Sequence, residues 1–156
     1  MSEVNKISIA VLGCGRVGTG IMKYIRQSPY VDEVYGYDIN QDVLAEKQNE
    51  LEFKAVRTLE EILDNPKIKL VFVTTHNATH VPLTIKALYA GKAVMTEKPV
   101  GMSIDEINDL LKVQKETGGF VQVGLELRYS KSYLYVKNEI DNGTIGKPLC
   151  YHFIYS

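Results

Sequence analysis

The 156-residue sequence has few cysteines and no block of like charge. Its two cysteines, Cys14 and Cys150, lack the close spacing of metal ligands, so we expect two reduced thiols rather than a disulfide. The 18 Lys and Arg residues nearly balance the 19 Asp and Glu residues, and the net charge is −1. This balance argues against nucleic acid or an anionic membrane surface as a partner.

Long hydrophobic runs, internal repeats and low-complexity segments are missing as well. No apolar run is long enough to cross a bilayer, and the first residues, MSEVNK, do not have the pattern of a signal peptide. We therefore expect a cytoplasmic protein with no membrane partner. Hydrophobic residues make up 45% of the chain and charged residues 24%, which is typical of one globular domain with a sizeable core.

The most informative stretch of the chain is residues 6–38. Residues 6–12 form an apolar run rich in Ile and Val, which is typical of a buried parallel strand, and glycines follow with the spacing G-x-G-x-x-G. An amphipathic helix comes next, and a second strand over residues 34–37 ends at Asp38. Four apolar side chains share one face of the predicted helix: Val17, Ile21, Tyr24 and Ile25.

Each glycine of this motif has a role in a dinucleotide site. Gly13 permits the tight turn out of the strand, Gly15 lets a pyrophosphate approach the backbone, and Gly18 lets the helix pack against the sheet. The helix start, which includes Arg16 and Val17, offers free amides to the phosphates. Because the strand, the helix and the acid all agree with the motif, we favour a dinucleotide site over a purely structural glycine turn.

Asp38 bears on the choice of cofactor. A carboxylate at this position accepts hydrogen bonds from a ribose 2′-hydroxyl and repels a 2′-phosphate, and residues 39–41 supply no arginine to hold that phosphate. The sequence therefore predicts NAD as the cofactor and NADP as the less favoured one. A second interpretation, compatible with the first, is that Asp38 caps a helix that begins near Asn40.

Strands and helices alternate through the rest of the chain. We predict further strands over residues 53–56, 70–74, 92–96 and 120–124, and helices begin after capping boxes such as Ser103 with Glu106. This alternation predicts an α/β fold, a doubly wound parallel Rossmann sheet of order 3-2-1-4-5-6 with helices on both faces. Three polar clusters should then meet at one sheet edge: the glycine turn, residues 75–77 and residues 97–99.

The sequence divides into a nucleotide-binding domain over residues 1–125, a connecting segment and helix over 126–147, and a final run over 148–156. That run is strand-like and aromatic, and it has no visible partner in the sequence. We interpret it as the first strand of a second α/β domain that is missing here. The alternative is a seventh strand of the same sheet.

Five motifs resemble one known family, and they are GCGRVG, TTHNATH, EKP, GLELRYS and NGTIGKP. Together they are similar to the glucose–fructose oxidoreductase / inositol dehydrogenase / MocA family, over the N-terminal half of a typical member. The resemblance implies a Rossmann domain followed by an α/β domain with a large open sheet, which usually supplies an Asp and a His to the active site. Since that second domain is absent from this sequence, we expect NAD binding with slow turnover or none.

The resemblance also implies hydride transfer from a hydroxyl-bearing carbon to a nicotinamide ring, with Lys98 as the catalytic lysine beside cofactor and substrate. Oxidation of an alcohol releases a proton as the hydride leaves, and an ammonium group can stabilise the developing alkoxide. The alternative is an ordinary surface lysine after a strand. Glu97 would contact a ribose hydroxyl or orient Lys98, or simply form an ion pair, and Pro99 follows a cis peptide bond in similar proteins.

The remaining site residues are also implied by the resemblance. Thr75 and Asn77 would contact the cofactor, and His80 would be structural or adjacent to it. Arg128 and Tyr129 lie where similar proteins hold substrate or cofactor, although a solvated arginine beside a packing aromatic is an alternative. His76 and His80 are four residues apart, but no third ligand has a metal-like spacing, so we expect no metal site.

These features favour an NAD-dependent oxidoreductase that acts on a sugar, cyclitol or similar polyol. A stand-alone NAD-binding sensor or scaffold would share every glycine, and a different dehydrogenase family could share the first strand–helix–strand unit alone. The identity of the substrate and the formation of a homo-oligomer by the full-length protein stay open.

Overall fold

A computed structural model describes residues 5–152. The chain divides into two compact units, Met1–Gly124 and Leu125–Ser156. In its described part, the first unit contains six strands: β1 (Ile7–Leu12), β2 (Val31–Tyr37), β3 (Lys54–Ala55), β4 (Ile68–Val73), β5 (Ala93–Thr96) and β6 (Val121–Val123). The helices between them are α1 (Arg16–Ile25), α2 (Gln41–Glu50), α3 (Glu60–Leu63), α4 (His80–Tyr89) and α5 (Ile104–Thr117).

The six strands form one parallel sheet of order β3-β2-β1-β4-β5-β6, which confirms the predicted topology. Its register aligns the carboxyl ends of five strands in a single row. Leu12 of β1 is paired with Tyr37 of β2 and with Val73 of β4, and the row continues through Thr96 to Val123. The residue after each of these strands therefore lies at the same edge of the sheet.

Two layers of core cover the two faces of the sheet, because neighbouring side chains on a strand point in opposite directions. Along β1, Ala10 and Leu12 join one hydrophobic cluster, whereas Ile9 and Val11 join the other. Helices α1 and α2 contribute Met22 and Leu44 to the second cluster. Helices α3, α4 and α5 contribute to the first, through Ile62, Val81, Leu88 and Leu110 among others.

Short-range polar signals fix the ends of the helices. The Asn40 side chain accepts hydrogen bonds from the amides of Asp42 and Val43, at 3.0 and 3.2 Å, and so caps α2. Ser103 caps α5 by accepting from the Glu106 amide at 3.2 Å, and Gly118 ends that helix in the left-handed conformation with φ 63°. The predicted cap at Ser103 is thus confirmed.

The predicted apolar face of α1 is wrong in part. Val17 and Tyr24 are 43% and 79% exposed, whereas Gly18 and Met22 are the buried residues of the helix. Ile21 and Ile25 flank this buried strip and are half-buried. The sequence pattern selected bulky apolar residues, but the side of α1 that meets the sheet is centred on a glycine, which has no side chain to signal burial.

Strand β2 begins at Val31, three residues before the predicted start. The charged residues Asp32 and Glu33 concealed this start, because they interrupt the apolar run. The structure accommodates Glu33 through an ion pair with Lys54 on the neighbouring strand β3 and a hydrogen bond from the Tyr35 hydroxyl at 2.6 Å. These contacts hold the pKa of Glu33 below its ordinary value.

The second unit contains a 3₁₀ turn, Glu126–Tyr129, and helix α6 (Lys131–Asp141). Ser130 caps α6 by accepting from the amide of Tyr133 at 3.3 Å. Residues 149–152 have no regular secondary structure, and the rest of the strand predicted over 149–156 lies outside the described residues, so that strand stays a prediction. None of the helices in the described part of the chain is long and apolar enough to span a membrane.

Candidate functional site

The polar clusters predicted to meet at one sheet edge do follow adjacent strands there. Backbone hydrogen bonds continue for one residue past the strands: the Gly13 amide donates to the Tyr37 carbonyl at 2.8 Å, and the Glu97 amide donates to the Val73 carbonyl at 3.0 Å. The first residues of these two loops are therefore held in place by the hydrogen bonds of the sheet. Asp38, the glycine turn, Thr74 and Glu97 stand next to one another along it.

Gly13 and Gly18 are structural glycines of the turn. Gly13 has φ +93°, and a Cβ there would lie 2.8 Å from the Thr74 carbonyl oxygen. A Cβ on Gly18 would lie only 1.9 Å from the carbonyl oxygen of Gly13. Gly15 differs from both, because it is exposed and a Cβ there would meet no protein atom within 4 Å. Gly13 and Gly18 thus serve packing, whereas Gly15 leaves open space in front of the turn.

Thr74 is a residue of this site that the sequence interpretation missed. Its Oγ1 lies 3.0 Å from the Leu12 carbonyl oxygen and 2.8 Å from that of Gly13, so the hydroxyl donates to the backbone of the turn. Its own amide donates to the Leu12 carbonyl at 2.9 Å. The available signal was a hydroxyl at the end of a buried strand that pairs with β1 in the predicted strand order.

The Asp38 carboxylate is held by two backbone amides. Its Oδ2 accepts from the Cys14 amide at 2.7 Å, and its Oδ1 accepts from the Asn40 amide at 2.8 Å. Since Asn40 caps α2, the alternative role of Asp38 as the cap of that helix is wrong. These bonds use one lone pair on each oxygen and leave others for hydroxyl donors.

Cys14 lies in the glycine turn beside this carboxylate and is fully buried. Burial, together with the negative charge of Asp38, raises the pKa of its thiol from 9.0 to about 12. The thiol is therefore not a nucleophile at neutral pH. Cys150 is exposed, and both cysteines are free thiols.

The start of α1 is arranged for an anion. No side chain caps the helix, and its first turn carries no acidic residue. Arg16 and Val17 are exposed there, next to Gly15. The first amides of a helix have no partner within it and lie at the positive end of its dipole. The residues present thus fit a phosphate group, which would satisfy these amides.

The loop after β5 contains Glu97, Lys98 and Pro99. Lys98 is exposed and Glu97 half-buried, and the Lys98–Pro99 peptide bond is cis. Glu97 Oε2 accepts from the backbone amide of Lys98 at 3.2 Å, and the carboxylate lies against Gly124, where a Cβ would come within 3.1 Å of Oε1. Neither Glu97 nor Lys98 is among the ion pairs of the described residues.

The loop after β4 leads through a 3₁₀ turn, Asn77–Thr79, into α4. The Thr79 hydroxyl donates to Thr75 Oγ1 at 2.7 Å, and Asn77 is exposed. The side chain of His80 is 1% exposed. Its Nδ1 lies 2.7 Å from the Pro99 carbonyl oxygen and its Nε2 lies 3.1 Å from that of Thr75. The described residues contain no group of three or more His, Cys, Asp or Glu that could hold a metal.

Arg128 and Tyr129 belong to the second unit, where both are exposed on the 3₁₀ turn Glu126–Tyr129. Their predicted contact with substrate stays a prediction.

Comparison with known proteins gives consistent matches. The model of the "Oxidoreductase family, NAD-binding Rossmann fold" matches residues 7–125. Myo-inositol 2-dehydrogenase of Thermotoga maritima is 28% identical over 144 residues, which cover 90% of this chain and 42% of that protein. The scyllo-inositol 2-dehydrogenase (NAD(+)) of Bacillus subtilis is 40% identical over 91 residues, 58% of this chain and 27% of that protein.

Solved structures agree with these sequence matches. The crystal structure of scyllo-inositol dehydrogenase from Lactobacillus casei, with bound NAD(H) and scyllo-inositol, superposes with a TM-score of 0.83 and 27% identity, over 91% of this chain and 43% of that one. The chain thus spans less than half the length of the relatives it matches. Because the family model covers residues 7–125, the chain belongs to the glucose–fructose oxidoreductase / inositol dehydrogenase / MocA family of oxidoreductases, and this part of it is the family's NAD-binding Rossmann fold.

Proposed function

We propose that the chain binds NAD across the edge formed by the glycine turn, Asp38 and the loops after β4 and β5, as the nucleotide-binding part of a polyol dehydrogenase. The observation that carries the proposal is the pairing of an uncapped helix start with a carboxylate fixed by the same turn. The Asp38 carboxylate accepts from the Cys14 amide at 2.7 Å, which joins the two features in one rigid unit.

In this proposal each part of the dinucleotide meets a different group. The first amides of α1, at Arg16 and Val17, would donate hydrogen bonds to the pyrophosphate, for which Gly15 leaves room. The Asp38 carboxylate would accept hydrogen bonds from the hydroxyls of the adenosine ribose. Thr75 and Asn77 contact the cofactor at the end of β4, and Glu97 contacts a ribose hydroxyl or orients Lys98.

The proposed reaction is removal of a hydride from a hydroxyl-bearing carbon of a cyclitol, sugar or similar polyol. Bound NAD supplies the hydride acceptor. The ammonium of Lys98 would stabilise the alkoxide that forms as the hydroxyl proton passes to a base, which we assign to the part of the family fold that this chain does not span. Relatives named as inositol dehydrogenases support this substrate class. Arg128 and Tyr129 are proposed substrate contacts, and the rest of the active site is assigned to the part of the family fold that this chain does not span.

A cytoplasmic location is part of the same proposal, since two free thiols suit a reducing compartment. A homo-oligomer is proposed for the full-length protein only.

Comparative calorimetry with NAD and NADP tests the cofactor assignment. We expect the chain to bind NAD more tightly than NADP. The substitution Asp38→Asn should weaken NAD binding by about 10- to 100-fold, the value of a hydrogen bond to a charged group, and should narrow the difference from NADP. Asp42→Asn removes an equal charge four residues away, at the start of α2, and should leave both affinities unchanged. Tighter binding of NADP by the unmodified chain would contradict the assignment.

A further inference from the structure

His80 is a fully buried polar side chain whose partners are both backbone carbonyls. It is the first residue of α4, and its side chain is 1% exposed. Nδ1 lies 2.7 Å from the Pro99 oxygen, and Nε2 lies 3.1 Å from the Thr75 oxygen. Because a carbonyl can only accept, any hydrogen in these two contacts comes from the imidazole ring, and a neutral ring has one N–H, so it donates to one of the two carbonyls at a time. Both ring nitrogens are thus directed at the protein's own backbone.

The two carbonyls belong to different loops of the proposed site. Thr75 lies in the loop after β4, which also carries Asn77, and Pro99 lies in the loop after β5, which also carries Glu97 and Lys98. The strands before these loops are paired, and their last backbone hydrogen bond joins the Glu97 amide to the Val73 carbonyl at 3.0 Å. Beyond that bond, the imidazole of His80 connects the two loops.

We propose that His80 is a positioning residue that fixes the Lys98 loop relative to the Thr75–Asn77 loop, and that it does not itself contact the cofactor. The proposal rests on the NAD site proposed above, because it concerns the loops of that site. Its structural part, the contact of the ring with a carbonyl of each loop, is independent of whether NAD binds. A loop fixed before binding needs less ordering when a ligand arrives, so loss of the attachment should weaken binding.

The two attachments can be removed separately. Asn at position 80 keeps a donor close to the position of Nδ1, which faces Pro99, and Gln keeps one close to the position of Nε2, which faces Thr75. Leu keeps an apolar side chain of moderate size and removes both ring nitrogens, so it can donate to neither carbonyl. Thr84→Val is the matched control, because Thr84 is buried one turn later in α4 and its hydroxyl has no hydrogen-bond partner among the described residues.

Backbone chemical shifts of the chain without cofactor provide the first measurement. We expect His80→Leu to shift the resonances of residues 74–77 and 97–101 together, and Thr84→Val to shift neither set. His80→Asn should restore residues 97–101 only, and His80→Gln residues 74–77 only. The proposal would be overturned if the Asn and Gln variants each disturbed both loops equally, or if neither variant disturbed either loop. The comparison of Asn with Gln tests the proposal even if the Leu variant does not fold.

Titration with NAD provides the second measurement. We expect His80→Leu to bind NAD about 2- to 10-fold more weakly, which corresponds to the loss of one ordinary hydrogen bond, with partial recovery in the Asn and Gln variants. Unchanged affinity in the Leu variant would reject the role of His80 in binding. Failure of the unmodified chain to bind NAD would reject the proposed function instead, and the shift pattern would still report on the attachment.

Discussion

Gly18 and Gly20 lie two residues apart in α1, but their surroundings differ completely. A Cβ on Gly18 would lie 1.9 Å from the carbonyl oxygen of Gly13 and 2.7 Å from Thr74 Oγ1, whereas a Cβ on Gly20 would meet nothing within 4 Å. The identity of residue 18 is therefore set by the close approach of α1 to the turn. Residue 20 has no such constraint and only carries the entropic cost of a glycine in a helix.

Alanine substitutions at these two positions should therefore have opposite effects. Gly18→Ala should lower the free energy of unfolding by about 1–3 kcal/mol or more, because the backbone of the turn must move. Gly20→Ala should raise it by up to about 1 kcal/mol, because alanine is the better helix former. Urea unfolding monitored by circular dichroism measures both, and equal stabilities of the two variants would contradict this account of the turn.

The two cysteines should differ in reactivity. At pH 8 a thiol reagent should label exposed Cys150 at once and buried Cys14 only after denaturation. The variant Cys150→Ser isolates Cys14, and prompt labelling of that variant in its folded state would show that the turn is more open than described.

The raised pKa of Cys14 also predicts a pH dependence. Between the ordinary pKa of 9.0 and the folded-state value of about 12, the unfolded chain loses the thiol proton while the folded chain keeps it. The free energy of unfolding should therefore fall as pH rises through this window, and Cys14→Ser should reduce the slope.

The start of helix α5 depends on local polar contacts. Ser103 Oγ accepts from the Glu106 amide at 3.2 Å, and Glu106 Oε2 accepts from the Met102 amide at 2.7 Å. The carboxylate thus reaches one residue further back than in the usual capping box, where it would bind the amide of the cap itself. Both hydrogen bonds are exposed, so they stabilise the helix mainly by satisfying backbone amides at and just before its start.

We expect Ser103→Ala to destabilise the chain by about 1 kcal/mol, the usual cost of losing an N-cap. Ser103→Asp retains an acceptor and should be close to the original stability, which separates the cap from other effects of substitution. Thermal unfolding of the three proteins checks this. An alanine variant as stable as the original would mean that the cap does not stabilise α5.

Sequence patterns predicted the elements well where one physical signal dominated. The apolar runs of β1 and β4 have no competing interpretation, and the ends of both strands were predicted within two residues. The start of β2 was missed because Glu33, which is charged, interrupts the apolar run and is accommodated partly by an ion pair with Lys54 on another strand. The buried strip of α1 was missed because it is centred on Gly18. Both incorrect predictions arise from contacts between residues that are distant in the sequence.

For the whole molecule, topology allowed the site to be predicted in outline. The strand order brings the ends of β1, β4 and β5 together, so the glycine turn, residues 75–77 and residues 97–99 were correctly expected to follow neighbouring strands at one edge. The contacts inside that edge could not be predicted. Neither the hydrogen bonds of Thr74 to the turn nor the contacts of His80 with two loops leave a periodic signal in the sequence, because each depends on the exact approach of two backbones.

The most direct test of the central claim is isothermal titration calorimetry of NAD into the folded chain, with Gly15→Ala and Gly20→Ala in parallel. Neither added Cβ meets a protein atom within 4 Å, so both variants should fold. The account predicts one NAD site per chain in the original and in Gly20→Ala. It predicts loss of about tenfold or more in affinity for Gly15→Ala, because that methyl group occupies the approach of the pyrophosphate. No heat from NAD with the folded original chain, or equal affinities in all three proteins, would contradict it.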